Sequence, residues 1–363
     1  MNYICSECGH KESVATHKAH CDCGGLWRLD YKAVFDPALI DRSVWGLFRY
    51  RAFLPLPDES WQELTLGEGL TPVIPSGPDL LLKMEYFMPT LSFKDRGAAV
   101  LVSHCKAIGV DSVVQDSSGN AANSIAAYSA RAGISCQIFV PEGTSPKKID
   151  MIRSHGASCA IVPGSRDHTA EVCRRKVEEE GVYYASHVYN PFFYEGTKTY
   201  VYELYEELGR IPENIFVPLG NGTLFLGVVK GLEELISGGV IDHMPNVVAI
   251  QSERCAPVFQ AYLRNESEPH AVEARPTLAE GIAIGVPKRG REILALVRRY
   301  GFKVIAAPED RILGAREALA RQGIYAEHTS AASYAGYLHY TELYGRTPDS
   351  VLPVCGAGLK SDH

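Results

Sequence analysis

The sequence predicts an α/β fold of two open, mostly parallel sheet domains wrapped by helices, with a small N-terminal zinc-ribbon-like module. Three observations carry this expectation. From about residue 80 onward, short apolar runs alternate with amphipathic stretches, the pattern of repeated β–α units around a parallel sheet. Glycine-containing turns follow several of those runs, and ligands in such sheets gather where strand ends meet helix starts. The first thirty residues hold four of the chain's ten cysteines and too few apolar residues for a core of their own.

The elements follow in order. Residues 45–57 are aromatic and read as an extended connecting arm. Residues 80–84 read as a strand, and 92–108 as a helix beginning near Phe93. Further strand–helix pairs fall at 112–115 with 121–132, 136–140 with 146–155, and 160–162 with 167–180. Later strands are expected at 214–218, 247–251, 303–306 and 350–354. The expected division is a Cys-rich module over 1–30, an arm and the start of a large domain over 31–85, a small domain over 86–200, and a large cofactor-binding domain over 201–363.

Bulk properties narrow the class. At 363 residues the chain has room for two domains sharing a cleft. Its hydrophobic fraction of 46% is ordinary for a protein with a real core. The net charge of −7 argues against a nucleic-acid partner, which needs a basic surface. No apolar run approaches the roughly 20 residues that span a bilayer, so no membrane association is expected. The first residues lack a basic segment followed by an apolar one. Cys105, Cys136, Cys159 and Cys173 sit singly in apolar segments, where reduced thiols behave as small hydrophobes. A cytoplasmic protein is expected.

Cys5-Ser-Glu-Cys8 and Cys21-Asp-Cys23 form two close pairs followed by glycines. Four thiolates so spaced suit one structural zinc, whose binding would supply the folding energy that a thirty-residue module lacks. His10, His17 and His20 are alternative ligands, and four unliganded thiols are the plain alternative.

Four motifs carry chemistry. In Ser92-Phe93-Lys94-Asp95-Arg96-Gly97, a lysine just inside a helix start lies near backbone amides, the positive end of the helix dipole and Arg96. All three disfavour its protonation and favour a nucleophilic amine. In Asp116-Ser117-Ser118-Gly119-Asn120, amides at a helix start converge on an anion-sized point. There Asn120 suits a phenolate oxygen, while Ser117, Ser118 and Gly119 suit a carboxylate. The loop Gly220-Asn221-Gly222-Thr223-Leu224 lets backbone close around a phosphate. Finally, Val354-Cys355-Gly356-Ala357-Gly358 ends a strand with a small polar residue. Each motif alone also fits an ordinary turn; in this order they supply the parts of a pyridoxal-phosphate site.

With those residues in view, the sequence resembles threonine synthase and, more broadly, the tryptophan synthase β-type (fold type II) pyridoxal-phosphate enzymes. The likeness runs from the Cys-rich front through Gly67-Glu68-Gly69, Ser92-Phe93-Lys94-Asp95-Arg96-Gly97, Ser118-Gly119-Asn120, Glu195-Gly196-Thr197-Lys198-Thr199 and Gly356-x-Gly358-Leu359-Lys360. The resemblance implies Lys94 as the Schiff-base lysine and Asn120 beside the cofactor's 3-oxygen. It implies Gly220 to Leu224 as a phosphate cup and Cys355 facing the pyridine nitrogen, in a homodimer. Departures stand at Leu91, Ala121, Thr223, Cys355 and Ala357, where the family usually has other residues, and Thr277–Gly281 is similar to the dehydratase branch. Lys83, Ser92, Asn123 and Arg131 are the expected contacts to a small amino-acid substrate. The implied reaction is conversion of O-phosphohomoserine and water to threonine and phosphate. The alternatives are a dehydratase, ammonia-lyase or β-replacement enzyme, or a non-catalytic cofactor-binding protein.

Overall fold

The computed structural model describes residues 1–57 and 59–360. Strands β1 (Asn2–Cys5), β2 (Lys11–Ser13) and β3 (Trp27–Leu29) make a small antiparallel sheet in the order β2-β1-β3, with Cys5 opposite Trp27. This module has no core of its own. Tyr3, Cys5, Cys21 and Trp27 belong to the same apolar cluster as Ala98–Val102, Ile125, Phe192 and Phe193 of the main body.

Strands β4 (Val73–Pro75) and β5 (Leu80–Lys83) are followed by β6 (Ser112–Asp116), β7 (Ser135–Pro141), β8 (Ser158–Val162) and β9 (Tyr183–Tyr184). Then come β10 (Asn214–Pro218), β11 (Asn246–Ser252), β12 (Lys303–Ala307) and β13 (Ser350–Pro353). Among the described residues these form a parallel four-stranded sheet, β8-β7-β6-β9, and a six-stranded sheet, β12-β11-β10-β13-β5-β4. The second is parallel except for β4, which pairs antiparallel to β5. The chain leaves the six-stranded sheet after β5, builds the four-stranded one, and returns at β10. This excursion brings the strand ends of both sheets to one cleft.

The apolar runs of the central strands are continuous because helices cover both faces: Ile215, Phe216 and Val217 of β10 and Val247 to Ile250 of β11 are wholly buried. Residues 45–57 are not an extended arm. Leu47–Phe53 winds into 3-10 turns that bury Leu47, Phe48, Tyr50 and Phe53, because tight turns send these closely spaced rings into two different clusters. No helix among the described residues is long and apolar enough to cross a membrane.

Candidate active site

Lys94 is the first residue of the helix Lys94–Ala107, which has no side-chain cap. Two neighbours lock that helix in place. Asp95, wholly buried, accepts from the Thr90 amide at 2.6 Å and from the Thr90 and Ser124 hydroxyls at 2.5 Å. Arg96, also buried, forks onto Glu85 at 2.7 Å and Glu203 at 2.6 Å, two bidentate pairs of the kind that fix geometry. The charge network around Arg96 is complete in itself, so Arg96 is not what unburdens Lys94 of its proton. Burial does that: desolvation pulls the Lys94 ammonium down to about 8, against the opposing pull of Cys355 and Glu327.

A cavity opens beside Lys94, lined by Phe93, Ser117, Gly119, Asn120, His187, Glu327 and the loop Gly220–Leu224. The loop enters the helix Thr223–Ser237 through Gly222, whose φ of +83° is left-handed. A Cβ there would also lie 2.5 Å from Ile293 Cδ1, so glycine is required twice over. That helix start also lacks a side-chain cap, leaving its first amides for a ligand. Asn120 opens the helix Asn120–Ala132 and donates from Nδ2 to Glu327 Oε2 at 2.9 Å. Burial pushes the Glu327 carboxyl above the ordinary carboxylate range. Cys355 is fully buried at the end of β13; it is not part of the cavity lining, but its carbonyl accepts from the Phe93 amide at 3.0 Å, tying it to the base of the Lys94 helix. Burial pushes its thiol well above the usual range, so it is uncharged.

A second cavity adjoins the first, sharing Gly119, Asn120, Arg166, Gly281, Glu327 and Thr329. Ser118 and Asn123 line it, together with Lys148, Lys360 and the Thr277–Gly281 segment. Three expected contacts lie elsewhere. Lys83 is wholly buried and bonded to Thr71 O at 2.5 Å and Glu203 at 3.0 Å, because the two-residue period of β5 turns it into the Arg96 network. Arg131 is exposed in the last turn of the helix that Asn120 begins, about 16 Å along its axis. Ser92 is buried beside Gly356, its hydroxyl without a partner among the described residues. Glu327, His187, Arg166 and Lys148 are the residues that sequence reasoning missed.

The cavity fits a pyridoxal phosphate in its donor set: a desolvated amine, an amide and a glycine-led helix start, with the uncharged Cys355 thiol buried outside the lining. The sequence profile of the family described as pyridoxal-phosphate dependent enzyme matches residues 64–356. The chain belongs to that family. Among relatives of these pyridoxal-phosphate-dependent enzymes, the threonine synthase of Methanocaldococcus jannaschii is 32% identical over 375 residues, covering 98% of this chain and 92% of its own. The threonine synthase of Mycobacterium leprae is 33% identical over 322 residues, 86% of this chain and 87% of its own. A solved T.th. threonine deaminase superposes with a TM-score of 0.64 at 25% identity, over 77% of this chain and 87% of its own. The chain is thus a pyridoxal-phosphate-dependent lyase acting by elimination or replacement on an amino acid.

At the front, the Sγ atoms of Cys5, Cys8, Cys21 and Cys23 all lie within 4.8 Å of one another. Individual separations are 3.4 Å for Cys5–Cys23 and for Cys8–Cys23, and 3.7 Å for Cys8–Cys21. Four thiolates about 2.3 Å from one tetrahedral zinc stand roughly 3.8 Å apart, so the cluster fits such an ion.

Proposed function

We propose that the chain is a threonine synthase-like enzyme that takes O-phosphohomoserine and water to threonine and phosphate. The observation that carries this reading is the charge of the second cavity. Lys148, Arg166 and Lys360 line it beside the Lys94 cavity together with Glu280, which pairs with Lys148 at 2.9 Å, and the Arg166 guanidinium has no hydrogen-bond or ion-pair partner among the described residues. With Lys148 paired to Glu280 and Lys360 donating to Thr90 O, the Arg166 guanidinium is the cation left to meet a substrate carboxylate or phosphate, and the two lysines stand beside it. Relatives named threonine synthase over most of the chain support the same reading.

When bound, pyridoxal phosphate supplies an electron sink for the substrate's α-carbon. Lys94 Nζ would hold the cofactor and, once released, take the α-proton; burial leaves a useful share of it neutral near pH 8. The amides of Gly220 to Leu224 would hold the cofactor phosphate at the helix start. Asn120 would face the 3-oxygen, and the neutral Cys355 thiol the ring nitrogen. Ser117, Ser118 and Gly119 would orient the substrate carboxylate, with Asn123 at the far wall. Arg166, Lys148 and Lys360 would steady the leaving phosphate. The four front cysteines would hold a structural zinc. The chain is expected to act as a homodimer.

A second reading, a serine or threonine dehydratase, draws on the Thr277–Gly281 segment, which lines the second cavity, and on the likeness to a threonine deaminase. Product analysis separates the two. Phosphate and threonine in equal amounts from O-phosphohomoserine support the first. A 2-oxo acid and ammonia from serine or threonine, with no phosphate released from O-phosphohomoserine, would replace it with the second.

A further inference from the structure

One guanidinium ties the wall of the Lys94 cavity that carries His187 to the cysteine module, its Nη1 paired with Glu292 at 3.1 Å. Arg289, 3% exposed, donates from Nε to Val188 O at 3.0 Å and from Nη2 to Tyr189 O at 3.0 Å. The same Nη2 donates to Trp27 O at 2.9 Å, and Trp27 is the β3 residue paired with Cys5. Arg289 also stacks over Tyr194 at 4.8 Å, and the Tyr194 hydroxyl donates to the same Val188 carbonyl at 2.5 Å. Three carbonyls from two distant segments thus meet one planar donor, which a lysine cannot replace.

A packed route runs in parallel. Tyr3 stacks on Trp27 at 5.8 Å and meets Phe192 edge-on at 6.2 Å. The neighbouring Phe193 sits edge-on to His187 at 5.8 Å and so close to Gly97 that a Cβ there would lie 2.3 Å from its ring. Gly97 is in the first turn of the Lys94 helix. His187 Nδ1 is buried without a partner among the described residues, so its place depends on this packing rather than on a hydrogen bond of its own.

We infer that Arg289 is a positioning residue through which the metal-loaded cysteine module braces the His187 wall, so that metal occupancy sets how tightly the cavity holds its cofactor. This rests on the cavity and zinc assignments made above. The module's pairings are only three residues long on each side of β1, too short to persist unaided. Without the metal, Trp27 keeps its packing on Tyr3 but its short strand pairing loses its brace, so the third carbonyl on Arg289 is held less firmly than Glu292 and the two wall carbonyls.

The test is a double-mutant cycle on the full-length holoenzyme, read by the cofactor dissociation constant and the visible circular dichroism of the bound cofactor. One leg is metal removal by a chelator, followed by metal analysis. The other is Arg289→Lys, which keeps the charge and leaves the cysteines intact. Each is expected to weaken cofactor binding about tenfold, within the usual span of coupling between sites, and the two together little more than either. Unchanged affinity and dichroism in metal-loaded Arg289→Lys overturn the inference, whatever the chelated protein does. So do fully multiplicative effects, or a wild-type chain that carries no metal. A cofactor band that survives Lys94→Ala would instead overturn the cavity assignment itself.

Discussion

Asn120 Nδ2 donates to Glu327 Oε2 at 2.9 Å, joining the helix that follows β6 to the start of the helix His328–Tyr344, which packs on the six-stranded sheet. The bond crosses the cleft between the sheets, in the lining of both cavities. Burial raises the Glu327 carboxyl, so near neutrality this acceptor carries a proton more readily than an ordinary glutamate.

Glu327→Gln is therefore expected to keep kcat/KM within about threefold, whereas Glu327→Ala, which strands the Asn120 amide, loses about tenfold or more, roughly the worth of one buried hydrogen bond. The raised acid contributes stability that is present below its unfolded value and lost as pH rises through its folded value. Glu327→Gln should flatten that alkaline loss. Urea unfolding of both variants from acid to neutral pH, beside steady-state kinetics, checks the pair.

The ion network behind Lys94 makes a second prediction. Burial alone would raise Glu203, but Arg96 and Lys83 outweigh it and hold the carboxyl at about 2. Glu203→Ala strips buried Lys83 of its near carboxylate and leaves Arg96 with the Glu85 carboxylate alone, and is expected to cost about 3–5 kcal/mol in denaturant unfolding. In the wild type, the stabilisation from Glu203 is present above the ordinary glutamate range and lost as pH falls towards 2. Glu203→Ala should lack that acid-side slope.

A third concerns the glycine loop. Gly222→Ala forces a left-handed backbone onto a residue with a Cβ, costing about 1–2 kcal/mol. Cofactor affinity should fall about 5–30-fold, with the same band at saturation. Gly239, at φ +69° with nothing within 4 Å, is the control: Gly239→Ala should lose stability and leave cofactor affinity alone. Equilibrium titration of both variants with pyridoxal phosphate decides it.

Local patterns carried the fold and the cofactor loops. The parallel strands declared themselves by short apolar runs, and Lys94, Asn120 and the Gly220–Leu224 loop each sit at a helix start that has its own signature. Glu327, His187 and Arg166 are single polar residues with no local motif; only the return of the chain from the four-stranded sheet brings them to Lys94. Lys83 misled because closeness in sequence to Lys94 says nothing about which side of β5 it faces. Arg131 misled because a helix carries its far end away from the site. The cysteine spacing announced a metal-sized cluster, but the shared core of Tyr3, Trp27 and Phe192 is a long-range fact.

The most direct measurement is the visible spectrum of Lys94→Ala purified with pyridoxal phosphate, alongside wild type. The account predicts that wild type shows the absorbance of a lysine-bound cofactor, and that Lys94→Ala loses that band together with turnover of O-phosphohomoserine. A variant that keeps both the band and the activity would contradict it.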